Sequence, residues 1–359
     1  MLSLLADHYP DVYRFTCSVF PSEDDDVVTS PYNAVPPHPP ARPPSPLPAL
    51  RAALSSPQRP AGARRGGRDA ERRGRQALAL EQLSLHADCV LPIENSSLAD
   101  ICRRAEERGG ARRAAGQATL ADAGGEPRAN SFDEMNEIAA QVLSHLTAST
   151  RFDGPLNVDL NEVTMNLVPF PRLKFLLSSL SPMAPAGGAG GARAEGAGSG
   201  AAVDALFSEA LHRDAQLIKA DPRTSTFLAA AFLARGDVPI SDMQRNVARV
   251  RKSVRMVAWN PDGFKTGICA APPQGVPRAL LCLSNNCAIA HTVDAFAARF
   301  HRLYRRKAMV HHYERFLGPD ARAVLDAAAE NMRLLAGEYH ALDSLPPGGG
   351  PAPRMVPAA

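Results

Sequence analysis

The chain of 359 residues has no apolar run near the ~18 residues that a membrane-spanning helix needs. Its first residues show neither the basic start nor the cleavage site of a secretory leader, so a cytosolic address is expected. The six cysteines (Cys17, Cys89, Cys102, Cys269, Cys282 and Cys287) include no CxxC pair, and no histidine stands at zinc-ligand spacing. They read as reduced, mostly buried thiols rather than metal ligands or a disulfide framework. His311 and His312 are adjacent, point to different helix faces and make a poor metal pair. No basic stripe interleaved with aromatics runs through the sequence, which argues against dedicated RNA or DNA recognition. A glycine-rich phosphate loop is missing as well: the glycine runs at 187–191 and 348–350 sit in flexible tracts, not between a strand and a helix.

What is present suffices for two domains with sizeable cores, and 45% hydrophobic residues is ordinary for a globular protein. The net charge of +3 is localised. Residues 35–76 hold nine arginines against Asp69 and Glu71, a local +7, so the rest of the chain is net negative. This Pro-, Ala- and Arg-rich stretch lacks periodicity and is expected to be a disordered insert, since it cannot bury enough apolar surface to offset its ordering entropy. An Arg-rich segment can also bind acidic partners, acidic tails or RNA among them.

The most informative stretch is FDGPLNVDLNEVTMNLVPFPR, from Phe152 to Arg172. A long helix runs into it, opened by the capping-box spacing of Ser131 and Glu134, with Phe132, Met135, Ile138, Val142, Leu143 and Leu146 on one face. Gly154 and Pro155 are expected to stop that helix. Asp159 then caps a second helix whose first turn holds Glu162, so Asn157, Asp159 and Glu162 crowd onto one loop and helix start. These acids admit a bland reading as a capping pair, and a third as an acid/base pair in a cleft. Pro169 and Pro171 lead into a buried strand, Leu173–Leu180.

Elsewhere the chain alternates. A helix tail to His8 precedes a β-rich run from Val12 to Phe20, then an acidic loop (22–26) and a VVTSPYN loop ending at Asn33. Residues 77–88 read as a helix, 89–93 as a strand and 96–105 as a helix capped by Asn95 or Ser96, with 106–130 loop-like. Residues 183–202 form a Gly/Ala tract expected to be a flexible loop, followed by the amphipathic VDALFSEALHRD. TFLAAAFLARGDV reads as a strand with helix as competitor. Ser241 and Gln244 suggest a capping box for a helix to Ser253, before strands at 254–260 and 278–285. Two antiparallel helices close the chain, one lined by Phe296, Phe300, Leu303, Tyr304 and Ala308, the other by Val324, Leu325, Ala328, Met332, Leu335 and Tyr339. Arg305, Arg306 and Lys307 punctuate the first, as a solvated face or a functional patch, and a floppy tail runs from Pro346. The pattern is that of an α/β or α+β layered fold.

Eight collinear blocks resemble the tubulin superfamily: SPYN, VLPIENSSLADICRR, SFDEMNEI, LNVDLNEVTMNLVPFPR, ADPRTSTFLAAAFLARGDV, AWNPDGFKTGI, LSNNCAIA and FHRLYRRKAMVHHY. SPYN and LPIENSSL point to its epsilon branch. The resemblance implies a tubulin/FtsZ-like α/β fold. A truncated GTPase sheet domain would span 1–151, an intermediate α+β domain 152–292 and C-terminal helices 293–343, with a disordered tail at 344–359. It also implies GTP with Mg2+ as cofactor, read at the guanine edge by Asn95 and Asn136, stacked on by Phe132 and contacted at the ribose by Asp26. Glu162, with Asp159 and Asn157 on the same loop, would face the nucleotide of the next subunit in a filament, making hydrolysis depend on assembly. Other tubulin subunits, delta-tubulin among them, and centriolar proteins are the partners implied, at the centrosome, centriole and basal body. Because the family carries its phosphate loop before the position where this chain starts, the chain as written is expected to be a truncated fragment that binds GTP poorly. The alternative is a non-catalytic centriolar interaction module. The Gly/Ala tract stands where the family makes side-to-side lattice contacts, and the acidic tail of alpha and beta subunits is missing.

Overall fold

The structure, a computed structural model, describes residues 2–20, 32–33, 75–114, 131–182, 199–308 and 310–345. Its centre is a four-stranded mixed sheet in the order β5–β8–β6–β7, made of β5 (Leu176–Ser181), β6 (Phe227–Gly236), β7 (Phe264–Cys269) and β8 (Arg278–Asn286). β6 runs parallel to β7, and β8 runs antiparallel to both β5 and β6. The ambiguity in TFLAAAFLARGDV is settled by its alternation. Ala229, Ala231 and Leu233 enter one apolar cluster, while Ala230, Phe232 and Ala234 enter another on the opposite face. A strand buried on both faces reads as an unbroken apolar run, and only the period of two separates it from a buried helix.

One face is covered by α4 (Ser131–Leu146), through Met135, Ile138, Val142 and Leu146, and by α6 (Leu160–Leu167), through Val163 and Leu167. The other is covered by α7 (Ser199–Ala210), through Val203, Phe207 and Ala210, and by α8 (Ile240–Ser253), through Met243 and Val250. The result is three layers, helix on sheet on helix. Leu143 departs from the expected stripe and is exposed, because one step past Val142 turns it about 100° away from the sheet.

A second, two-stranded parallel sheet pairs β1 (Phe15–Phe20) with β4 (Cys89–Glu94). β4 continues toward the larger sheet through a bridge from Val90 to Phe175 and a hydrogen bond from the Glu94 N–H to the Leu217 carbonyl. Before β1 stands α1 (Leu2–His8), and before β4 stands α2 (Ala77–His86). A third cluster gathers α2, Phe175 and three C-terminal helices around the wholly buried Tyr339. These helices are α9 (Ile289–Arg305), α10 (Val310–Leu317) and α11 (Ala321–Asp343).

Several expectations are corrected. The helix expected over 96–105 is α3 (Asn95–Ala114), which extends through part of the expected loop at 106–130, because RRAEER and ARRA are strong helix formers that outweigh Gly109 and Gly110. Residues 115–130 lie outside the described residues. No strand forms over 254–260. Val254 caps α8, Met256 makes a single bridge to Phe227, and the chain then turns at Asn260, where Pro261 removes a donor. The strand falls instead at β7, in FKTGIC. The box at Ser241 and Gln244 does not form: Pro239, with φ −63°, is the N-cap, and its carbonyl accepts from Asp242 and Met243.

The long helix ends at Leu146, before Gly154, and a four-residue helix, α5 (Ala148–Arg151), intervenes; the Thr147 hydroxyl donates back to the Leu143 carbonyl at the break. Three C-terminal helices stand where two were expected, and Ala308 lies past the end of α9. Of the expected insert at 35–76, Arg75 and Gln76 form β3, paired with β2 (Tyr32–Asn33), and the remainder lies outside the described residues. Of the expected loop at 183–202, residues from Ser199 onward are the first turn of α7, and 183–198 lie outside them too, as do the acidic loop at 22–26 and the tail from Pro346.

Candidate functional site

The loop between α5 and α6 is fixed by one close approach. A Cβ on Gly154 would stand 2.2 Å from the Ile268 carbonyl oxygen and 2.8 Å from the Cys269 Cα, so only glycine lets this loop lie against β7. Two residues on, Leu156 and Ile268 exchange backbone hydrogen bonds in an antiparallel bridge, at 3.4 and 2.9 Å. The loop is thus registered on the strand before α6 begins.

Asp159 is the N-cap of α6, with its Oδ1 accepting from the Glu162 N–H at 2.7 Å. That bond is worth about 1 kcal/mol and leaves the second carboxylate oxygen of Asp159 without a hydrogen-bond partner among the described residues. Glu162 follows one turn later. Its side chain is 40% exposed, outside the apolar core, and Oε1 accepts from the Nζ of Lys265, itself 28% exposed. Asp159 and Asn157 are exposed. The same stretch carries three exposed apolar side chains, Phe152, Leu156 and Met165, the last 71% exposed.

Lys265 is the residue that sequence reasoning missed, because its strand was missed. The usable signal was FKTGIC itself, where Phe264, Thr266 and Ile268 alternate after the turn residue Gly263. The exit of α6 is secured by Asn285 of β8, whose Nδ2 donates to the carbonyls of Leu167 at 2.8 Å and Leu173 at 2.6 Å across Pro169 and Pro171.

The expected nucleotide residues stand elsewhere. Asn95 opens α3 at the carboxyl end of the parallel strand β4, where α/β sheets place ligand contacts, and Asn136 lies on α4; both are exposed. Neither amide has a hydrogen-bond partner among the described residues, and α3 and α4 pack through Leu98, Ile101 and Cys102 against Met135, Ile138 and Val142. Asn95 is not a cap: it is the first helical residue, and the Ser96 hydroxyl donates to buried Glu94 at 2.6 Å. Phe132 lies in the first turn of α4 with its side chain outside the described residues, and Asp26 lies outside them entirely.

Two exposed amides fit the edge of a purine base, since each carries a donor and an acceptor. A triphosphate does not fit in the same way. Between β6 and α8, Gly236 stands alone against the Pro277 carbonyl, and among the described residues no strand-to-helix turn is glycine-rich enough for its backbone N–H groups to cradle phosphates. The two exposed amides and the acid loop also lie apart: α4, about 24 Å long at 1.5 Å per residue, carries Asn136 near its start, and the loop follows its far end.

Among the described residues no cluster of three or more His, Cys, Asp or Glu could hold a metal ion, and no helix is long and apolar enough to cross a membrane. All six cysteines are free and five are buried; burial pushes the thiols of Cys282 and Cys287 up to about 12, so neither supplies a thiolate.

Against known proteins, residues 171–297 match the family described as "Tubulin C-terminal domain". Together with the likenesses below, this places the chain in the tubulin superfamily, with its mixed α/β fold. The chain is 37% identical to "Tubulin epsilon chain" of Mus musculus and 36% identical to that of Homo sapiens, each over 351 residues, or 96% of this chain and 63% of the relative. It is also 37% identical to "Tubulin alpha chain" of Zymoseptoria tritici, over 64% of this chain and 47% of that protein. The likeness to the epsilon chains takes in nearly the whole chain, while the chain itself spans 63% of their length.

Proposed function

We propose that the chain acts as a structural subunit of the cytoskeleton whose α6 start serves the nucleotide of a neighbouring tubulin subunit. The observation that carries this reading is the position of Glu162, half-buried in the first turn of α6 beyond a registered loop, tethered by Lys265 rather than packed in the core. The exposed Phe152, Leu156 and Met165 on the same stretch suit an interface, where apolar contacts exclude water from neighbouring polar groups. Base-reading amides near one end of α4 and an acid loop beyond the other suit head-to-tail stacking, in which one subunit's base faces the next subunit's nucleotide. In that stack Glu162 orients an attacking water, and Lys265 holds the carboxylate where assembly brings the water to it. The domain division at 151, 292 and 343, the epsilon-like role at centrioles and basal bodies, and delta-tubulin as a partner belong to the same reading, supported by the likeness to epsilon chains.

The test adds this chain to a GTP-loaded tubulin subunit and follows phosphate release. Glu162→Ala is expected to slow assembly-dependent release by at least ~100-fold while leaving co-sedimentation and nucleotide affinity intact. Lost affinity with turnover unchanged refutes it.

A second reading is favoured by one observation, the lack of a phosphate cradle among the described residues. In it the chain is a centriolar interaction module indifferent to nucleotide. Pull-down of delta-tubulin that is unchanged by GTP, together with an inert Glu162→Ala, would select it.

A further inference from the structure

The C-terminal half of α9, with Arg306 as its C-cap, presents Ala298, His301, Arg302, Arg305 and Arg306 along one exposed stripe, and these residues line a cavity of about 470 Å³. Four of the five are basic or titratable to cations, and no acid is among them. Several other arginines of the fold are matched: Arg172 with Glu338 at 2.8 Å, Arg245 with Asp204 and Asp242 at 2.7 Å each, and Arg255 with Asp343 at 2.5 Å. Arg302, Arg305 and Arg306 have no such partner among the described residues. The helix C-terminus offsets roughly half a charge, which suits one cation and leaves most of three guanidinium charges unmatched.

The surroundings narrow what fits. Tyr304, the aromatic of this run, turns inward: its ring stacks on Phe300 at 5.4 Å, and burial together with Asp326 pushes its hydroxyl up to about 12. The stripe therefore has no exposed aromatic on which a nucleobase could stack. None of the exposed large apolar side chains falls between 298 and 307, so nothing there would insert into a bilayer. From Arg302 to Arg306 the cations span about 6 Å along the helix axis, a row rather than a single socket. A row of forked guanidiniums matches a row of carboxylates.

We propose that this stripe is a docking site for a glutamate- or aspartate-rich segment of a partner protein. Two or three neighbouring carboxylates of that segment lie along the cavity and pair with Arg302, Arg305 and Arg306. The proposal does not depend on the nucleotide reading above.

The test uses the full chain with a dye-labelled octaglutamate peptide, read by fluorescence anisotropy at low and at physiological salt. Binding is expected to weaken at least ~10-fold in R302E/R305E/R306E and to fall with salt, whereas R333E, at an exposed position of α11, retains it. The neutral variant R302Q/R305Q/R306Q, with the thermal transition as a check on folding, should lose binding too. A photo-crosslinking version of the peptide is expected to mark α9. Undiminished binding in the triple variants, with crosslinks in the arginine-rich 35–76 segment, overturns the proposal. So does a stripe that takes up single-stranded oligonucleotide or anionic vesicles more tightly than the peptide.

Discussion

Mild acid should destabilise this protein through one buried histidine on the helix that carries the candidate site. His145 lies in the last turn of α4, is 4% exposed, and its Nδ1 has no hydrogen-bond partner among the described residues. Burial first, then the guanidiniums of Arg235 from β6 and Arg151 from α5, push it down to about 3. Arg235 is itself only 6% exposed and meets no carboxylate among the described residues, donating instead to the carbonyls of Ala271 and Pro272. Both guanidiniums also sit over the Phe152 ring, at 5.1 and 5.6 Å, so a protonated imidazole would be a third cation in one small space.

The folded value lies below the ordinary one near 6.5, so the unfolded chain binds a proton that the folded chain refuses. Stability is therefore intact above about pH 6.5 and declines as pH falls toward 3, by about 1.4 kcal/mol per unit. At pH 5.5 the loss from this group alone is about 1.4 kcal/mol. The assay is urea unfolding at pH 7.5 and 5.5 for the wild type and for His145→Gln, which keeps a polar side chain but cannot charge. The wild type should lose about 1.4 kcal/mol more than the variant between the two pH values. Equal losses would refute the reasoning, as would a wild-type imidazole that titrates near 6.5 by NMR in the folded protein.

Two further outcomes follow from the backbone. Gly154→Ala places a Cβ against the Ile268 carbonyl and should cost about 3 kcal/mol in urea unfolding, with the exposed loop over 152–159 becoming more susceptible to limited proteolysis; a neutral result would mean the loop does not lie on β7. Lys307 takes φ 50° just past α9, where its N–H donates to the Tyr304 carbonyl at 2.9 Å. Lys307→Gly should stabilise by about 0.5 to 1 kcal/mol, seen as a raised thermal midpoint, and a lowered one would count against the left-handed cap.

Much of the fold could be read from pattern because its elements are locally encoded. The Asp159 cap formed at the residue its spacing indicated, and the apolar stripe of α4 faced the sheet as its 3.6-residue period required, Leu143 excepted. The second strand of the large sheet lost its helical competitor only once its two faces were seen covered. FKTGIC was passed over because Lys265 and Gly267, residues with weak strand preference, interrupt it, and neighbouring β6 supplies the pairing that local preference does not.

By itself the sequence determined the alternation of helices and strands, the buried thiols, and the crowding of Asn157, Asp159 and Glu162 onto one turn, since each depends on neighbours a few residues apart. Only the tertiary structure decided that Lys265, 103 residues away, holds Glu162, that Ile268 leaves room for nothing but glycine at 154, and that His145 shares its space with Arg235. Those pairings join strands and helices distant in the chain, and charge, burial and steric room are properties of the assembled space rather than of any segment.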